Sequence, residues 1–200
     1  MIVKNVNVRA SRVAQGKASS SLKSHFKYIQ YRARDLLKES LQDRKLFDKE
    51  HDQVDRRQAH GQIMGERSGD IYYHRMILSP AQNEPVDDWR AWTRAVLGDI
   101  ERKMGTDLDW YAVHHANTEH PHVHVVIRGT GIDHETGAST PVEFTPQDFR
   151  YLRERGREHS LYEHYHRIEE TLRDLDRSDR LPQEIPLHEP EHTAMHTMER

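Results

Sequence analysis

Short runs of β-branched and aromatic residues recur along the chain and predict its strands, because such side chains favour the pleated, half-buried surface of a sheet. The second run ends at Ser79–Pro80 and the fourth at Gly129, which are residue types that terminate strands. The predicted strands cover residues 2–8, 71–78, 110–115 and 122–128, with a fifth at 140–144.

Apolar residues spaced three and four apart predict a helix after the first strand. Ser20 or Ser21 can cap it, so we expect it to begin near Leu22. At ~100° per residue, Tyr28 lies at the border of the apolar stripe and Tyr31 lies nearly opposite its centre. The stripe consists of Leu22, Phe26, Ile29, Ala33, Leu36 and Leu37.

Two more helices are predicted beyond the second strand. Pro85 and the acidic pair Asp87–Asp88 are typical of a helix N-terminus. Core packing is the preferred role for the two tryptophans of this helix, and base stacking is the alternative. A long helix from about Gln147 carries many balanced charges, which predict a solvated face. The apolar stripe of the earlier helix is Trp89, Trp92, Val96 and Ile100.

The segment 39–70 is charged and has few apolar anchors. This composition predicts a solvated excursion, in part helical, and a mobile flap over bound DNA is its functional alternative. The order of elements, β-α-excursion-β-α-β-β-(β)-α, predicts an α+β fold with a central antiparallel sheet and helices packed on one side of it.

Composition limits the class of protein. The 200 residues suit one domain at 1–180, followed by a disordered acidic tail at 181–200. There is no cysteine, which excludes a disulfide framework and a thiolate metal site. No run approaches the ~20 apolar residues of a membrane span, and the first residues lack the apolar core of a signal peptide. We therefore expect a cytoplasmic protein.

Charge is distributed unevenly although the net charge is only −3. Residues 1–38 hold nine Lys/Arg and one acid, and residues 9–20 within them are predicted to form a flexible basic loop. The tail 181–200 holds four Glu and one Arg. The basic end is expected to face DNA phosphates. The predicted DNA-binding residues are Lys23, Lys27, Tyr31, Arg32 and Arg34.

The segment between the third and fourth strands is rich in histidine. Residues i and i+2 of a strand point to the same face, so His122 and His124 share one face while the intervening valine faces a core. A turn at 116–121 brings the preceding strand back antiparallel, and with it a third histidine, either His114 or His115. Three buried imidazoles without an ion would leave polar nitrogens without partners. The pattern therefore predicts a metal site.

The same segment resembles the histidine motif of conjugative relaxases. The motif is matched in spacing and residue type by His115-x-Asn117-Thr118-Glu119-x-Pro121-His122-x-His124, followed by Val-Val-Ile-Arg-Gly. Relaxases are HUH endonucleases, and this segment is similar to their VirD2-like branch. The order of elements extends the resemblance loosely over residues 1–150. It implies a central antiparallel sheet with the metal on its middle strands and a tyrosine on a nearby helix.

The resemblance also implies which side chains bind the ion. VirD2-like proteins commonly carry Asp two residues after the first ligand, and this chain has Asn117 there. Glu119 matches a second acid of the motif, so it would have to orient a ligand or take a proton. His120 is expected to assist from beside the ligands. The ligands that the family spacing selects are His115, His122 and His124.

The segment Phe26-Lys27-Tyr28-Ile29 looks like the nucleophile segment of the family, which makes Tyr28 the expected nucleophile and Tyr31 the alternative. Attack by a tyrosine gives a covalent phosphotyrosine that stores the ester, so the strand can be rejoined without ATP. His25 and Arg32 flank Tyr28, and both can favour the phenolate. Arg32 would act by its charge, and His25 by its charge or by accepting the proton.

The implied function is strand-specific DNA nicking and strand transfer at a transfer origin, for plasmid mobilisation or conjugation. The intermediate would be a 5′-phosphotyrosine, and the partners would be DNA and the accessory and coupling proteins of conjugation. The resemblance implies magnesium or manganese as the divalent ion. The three imidazoles themselves would also suit zinc or nickel.

Three alternatives differ in function. A rolling-circle replication initiator or a transposase belongs to the same superfamily. A His-rich metal oxygenase belongs to another class, and the basic segment 1–38 with its tyrosine helix argues against it. A degenerate, non-catalytic DNA-binding module is the third, and metal-dependent nicking of supercoiled plasmid separates a nuclease from the oxygenase and from this module. His188, His192 and His196 could form a second metal site, but the nearby prolines disfavour the helix it would need.

Overall fold

The computed structural model describes residues 1–31, 44–115 and 120–179. By its internal contacts the chain divides into two units, Met1–His166 and Arg167–Arg200. Within the described ranges, no helix is both long enough and apolar enough to span a bilayer. The elements are β1 Ile2–Arg9, α1 Gln15–Tyr31, α2 Arg56–Ile63, β2 Ile71–Ser79, α3 Trp89–Met104, β3 Thr106–Asp107, β4 Trp110–His115, β5 His122–Arg128, β6 Thr130–Asp133, β7 Ser139–Pro141 and α4 Pro146–Asp179.

The larger sheet has the strand order β1-β2-β5-β4, and every neighbouring pair is antiparallel. The predicted α+β fold with a central antiparallel sheet is therefore confirmed. β2 and β5 are its two inner strands. β4 and β5 are joined as a hairpin in the sheet, which brings the histidines of both strands together.

A smaller sheet with the order β3-β6-β7 was not predicted. β6 begins at Thr130, directly after the glycine at which the fourth strand was predicted to end, and β7 covers Ser139–Pro141 rather than residues 140–144. The change of sheet occurs at Gly129, where an added Cβ would lie 2.0 Å from the carbonyl oxygen of Ile71. Only glycine permits this approach between β5 and the start of β2.

Helices cover both faces of the larger sheet, so the prediction that they lie on one side is wrong. The adjacent residues Val125 and Val126 explain it: they point to opposite faces and both are fully buried, so neither face can be left to water. One face packs Leu22, Phe26, Ile29 and Ile63 of α1 and α2 against Tyr73, Tyr111, Val113 and Val126. The other packs Trp92, Val96, Ile100 and Leu152 of α3 and α4 against Met76, Leu78, Val123, Val125 and Ile127.

α1 begins seven residues earlier than the sequence predicts, at Gln15 instead of near Leu22. The loop predicted for residues 9–20 is therefore wrong in its second half. Ala18 is fully buried one turn before Leu22, so it extends the apolar stripe, while the serines that suggested a cap lie on the outer side of the helix. Tertiary burial of this stripe outweighs the weak helix preference of serine.

The charged segment 39–70 is in part helical, as predicted, because its described residues include α2, and many of them are exposed. The prediction is wrong in one respect, since the segment is also anchored to the core. Leu46 and Phe47 are buried, and Phe47 exchanges two main-chain hydrogen bonds with Ala112 of the edge strand β4, at 3.0 and 2.8 Å. Asp55 then caps α2 by accepting hydrogen bonds from the amides of Arg57 and Gln58. The predicted tail 181–200 lies outside the described residues.

The packing of α1 predicts that two Leu→Ala substitutions, one at a buried and one at an exposed position, lower the free energy of unfolding by different amounts. Leu22→Ala removes a fully buried side chain between α1 and the sheet and is expected to lower the free energy of unfolding by about 2–5 kcal/mol. Leu172→Ala makes the same chemical change on α4, where the side chain is 59% exposed, and should cost less than about 0.5 kcal/mol. Denaturant unfolding followed by circular dichroism measures both. Equal losses would contradict the assigned core.

Candidate metal centre and active site

Strand pairing places three histidines on the α1 face of the sheet. His115 lies directly opposite His122 in the β4–β5 ladder, and His124 follows two residues later on β5. One ring nitrogen from each residue lies within 4.8 Å of the other two. His115 and His124 are buried and His122 is half-buried, so the cluster is reached from its His122 side.

His114 is the neighbour of His115 and points to the opposite face of β4. Its ring stacks on Trp89, with the ring centroids 4.1 Å apart and an interplanar angle of 15°. Alternation along the strand left open which of the two histidines joins the pair on β5. The register places His115 there, while Trp92 packs in the core as predicted and Trp89 is half-buried against His114.

The nitrogen positions fit a divalent ion. His122 Nδ1 donates a hydrogen bond to the main-chain carbonyl of His120 at 2.9 Å, which leaves the lone pair on Nε2. This Nε2 lies 3.2 Å from Nε2 of His124. Two imidazole nitrogens that each bind one ion at ~2.0–2.1 Å, at an angle near 90–110°, are roughly 2.8–3.4 Å apart. The nitrogens of His122 and His124 are therefore spaced as two ligands of one ion, and a ring nitrogen of His115 lies within 4.8 Å of both.

α1 lies directly against this cluster. Nε2 of His115 donates a hydrogen bond of 2.6 Å to the main-chain carbonyl of Ile29, so Nδ1 is the nitrogen that can bind an ion. One turn earlier on α1, His25 meets His124 edge-on with 6.0 Å between ring centroids. These two contacts fix the position of the helix relative to the histidines of the sheet.

A half-buried cation, Arg75, also lies on this face. Burial, followed by the charge of Arg75, lowers the pKa of His25 to about 4, so the ring is neutral at neutral pH. A neutral His25 can accept a proton or a hydrogen bond, but the prediction that it contributes positive charge is wrong. Arg75 supplies that charge instead, and its Nε is buried without a hydrogen-bond partner among the described residues. Sequence reasoning missed Arg75, although a charged residue inside an apolar strand was the available signal.

Tyr28 and Tyr31 are both exposed but differ in position on α1. Tyr28 is 45% exposed and Tyr31 is 59% exposed. At ~100° per residue, Tyr28 lies roughly 60° around the helix from His25, and Tyr31 roughly 120°. Tyr28 is therefore the tyrosine nearer to the flank that meets the histidines. Tyr31 lies near Arg56 of α2, whose guanidinium carbon is 5.7 Å from the ring centroid.

The other predicted site residues fall in three groups. His120 is exposed, and the contact recorded with His122 is made by its main-chain carbonyl. Lys23 and Lys27 are exposed on α1. The remaining predicted residues, Arg32, Arg34, Asn117 and Glu119, lie outside the described residues.

Comparisons with known proteins bear on this arrangement. The family described as Relaxase: MobA/VirD2-like, nuclease domain matches residues 28–181, which is about three quarters of the chain. The matched range includes Tyr28 and the whole histidine hairpin. A comparison with curated proteins finds no match. The chain therefore belongs to the MobA/VirD2-like relaxase family, whose nuclease domain binds and nicks DNA.

Proposed function

We propose that this relaxase nicks one DNA strand at a transfer origin and remains attached to the 5′ phosphate through Tyr28. The observation that supports this most directly is the seating of α1 on the histidine cluster. His115 is bonded to the carbonyl of Ile29, the residue that follows Tyr28. The helix that would carry the nucleophile is thus bonded directly to a strand that would hold the ion.

The step requires an in-line attack with balanced proton transfers. Tyr28 gives up its phenolic proton, and its oxygen forms a bond to phosphorus while the bond from phosphorus to the 3′ oxygen breaks. The departing oxygen takes up a proton and becomes a free 3′ hydroxyl. The reverse sequence rejoins the strand, because the phosphotyrosine retains the energy of the ester.

The three histidines would hold a divalent ion beside this phosphate. When bound, such an ion supplies positive charge to the phosphoryl oxygens as the tyrosine attacks. Imidazoles add no negative charge that would repel the DNA, and Arg75 adds a second cation on the same face. Magnesium or manganese is the ion we propose from the family, and zinc and nickel are the alternatives that the nitrogen ligands suit.

The biological setting is plasmid mobilisation or conjugation, with the coupling and accessory proteins of that process as partners. A rolling-circle initiator or a transposase would use the same chemistry and is the second candidate. The nuclease-family match favours both over a metal oxygenase. Incubation of the protein with an origin-containing supercoiled plasmid and each ion, followed by mapping of the nick, tests the proposal. Breaks at a single site on one strand would support it, and random breaks on both strands would contradict it.

The ligand assignment predicts the effect of removing one imidazole. His122→Ala and His124→Ala each leave two ligand nitrogens, so both variants should lose metal uptake and nicking while they remain folded. Calorimetric titration with metal gives the stoichiometry. His114→Gln is the matched control, because that side chain points to the other face of the sheet. His120→Ala should reduce activity less than either ligand variant, because its contact with His122 is a main-chain one. Full stoichiometry in His122→Ala would remove it from the ligand set.

The nucleophile assignment predicts an all-or-none difference between two tyrosines. Tyr28→Phe loses one oxygen only, so it should bind metal and DNA almost normally and form no covalent adduct. Tyr31→Phe should still cleave, because Tyr31 lies farther round α1 from the histidines. A denaturing gel with origin oligonucleotide detects the adduct, and mass spectrometry identifies the linked peptide. An adduct on Tyr31, or an undiminished adduct in Tyr28→Phe, would overturn the assignment.

A further inference from the structure

A basic cavity of about 540 Å³ lies between α1 and α2, apart from the histidine cluster. Both helices contribute to it, and α2 belongs to the segment that the sequence predicted as a solvated excursion. None of its lining residues is acidic. The lining consists of Lys23, Ser24, Lys27, Arg56, Arg57 and His60.

The four lysines and arginines of this cavity form no ion pair with an acid among the described residues. Elsewhere many basic side chains of the described ranges do: Arg94 pairs with Asp52, Arg128 with Asp109, and Lys103 with Asp148. Asp55 is the nearest acid in sequence, and its carboxylate accepts two amide hydrogen bonds at the start of α2. Four cations thus converge on one cavity, and within the described part of the chain the charge of Asp55 acts on Arg56 and Arg57 without an ion-pair contact. This arrangement is suited to an anion.

Arg56 carries the clearest sign that a ligand is expected. Its Nη1 is buried and has no hydrogen-bond partner among the described residues. A buried guanidinium nitrogen without an acceptor is costly, because its hydration has been lost and nothing replaces it. The Arg56 group also lies 5.7 Å from the centroid of the Tyr31 ring, which holds it near the surface of α1. A phosphate oxygen would supply the acceptor that Nη1 lacks.

The cavity stands in a defined relation to the histidine cluster through α1. At ~100° per residue, Lys23 and Lys27 lie roughly 160° around the helix from His25, on the flank opposite the histidines. Tyr31 and Tyr28 lie on the exposed ridge between these flanks. A DNA strand that reaches from the histidines to the cavity must therefore cross the ridge that carries the nucleophile.

We propose that this cavity binds a backbone phosphate of the DNA strand outside the cleavage point. The inference rests on the proposed DNA-nicking function and assigns Arg56, Arg57 and His60 of α2 to DNA binding beside Lys23 and Lys27. The cavity holds the strand on one side of α1 while the histidine cluster receives the phosphate to be cleaved on the other. Tyr28 then lies beside a stretch of DNA that is held on either side of α1.

The test is the salt dependence of binding to a fluorescent oligothymidylate, measured by anisotropy. Each phosphate contact on single strands contributes about −0.7 to the slope of log affinity against log salt. Because both side chains face the same phosphate, the double variant Lys27→Gln/Arg56→Gln should flatten the slope by about 0.7 and weaken binding roughly 5-fold at 0.1 M salt. Thermal melting and metal stoichiometry show whether the variant is folded.

The matched control is Arg150→Gln/Arg153→Gln, which removes the same two charges from exposed positions on α4, across the sheet from α1. Its effect should be small, because charges beyond a Debye length of about 10 Å are screened at 0.1 M salt. A second probe, the same oligonucleotide with a neutral methylphosphonate backbone, should abolish the difference between wild type and the Lys27/Arg56 variant.

Each outcome bears on the proposal. An unchanged slope in the Lys27/Arg56 variant, an equal loss in the α4 control, or a difference that persists with the neutral backbone overturns the phosphate site and leaves the nicking chemistry standing. Wild-type protein that binds no oligothymidylate overturns the cavity and counts against the DNA-nicking function as well. Nicking by wild type at a single origin site, measured separately, identifies which of the two has failed.

Discussion

The antiparallel register between β4 and β5 is the constraint on which the candidate site depends. It sets His115 opposite His122, and the pleat adds His124 on the same face. A shift of β4 by one residue would turn the side chain of His115 to the opposite face of the sheet, away from α1. The register is held by apolar side chains on both faces, because a slip would exchange the residues that α1 and α3 bury. Core packing and site geometry are thus specified by the same strand pairing.

The two-sided cover of the sheet gives the α1 face its chemical character. α3 and α4 bury the larger apolar cluster on the other face, and α1 and α2 bury a second one. Apolar burial on both faces therefore stabilises the fold. Because of this, the α1 face can also accommodate polar groups, namely Arg75 and the three imidazoles. Burial of these groups is costly unless they are hydrogen-bonded or bind an ion.

Local patterns in the sequence predicted the strands and the shared face of His122 and His124, because alternation along a strand requires no knowledge of the rest of the chain. They did not predict the start of α1, since Ala18 counts as core only after the sheet is in place. The packing of helices on both faces of the larger sheet was also not predicted, although the adjacent Val125 and Val126 are both apolar. α2 and the basic cavity were not predicted because their segment has few apolar residues. The segment is anchored by main-chain hydrogen bonds between Phe47 and Ala112, and such bonds cannot be recognised from amino-acid composition.

The rings of His115 and His122 are both oriented by main-chain carbonyl groups, those of Ile29 and His120. Metal-binding imidazoles are often oriented by carboxylate side chains, which mutation can delete. Here the acceptors are present whatever side chain stands at positions 29 and 120, provided that the helix and the turn keep their paths. Main-chain acceptors therefore determine the tautomers of these two candidate ligands. Side chains at positions 29 and 120 can change without altering which ring nitrogen of His115 or His122 is left to accept a bond.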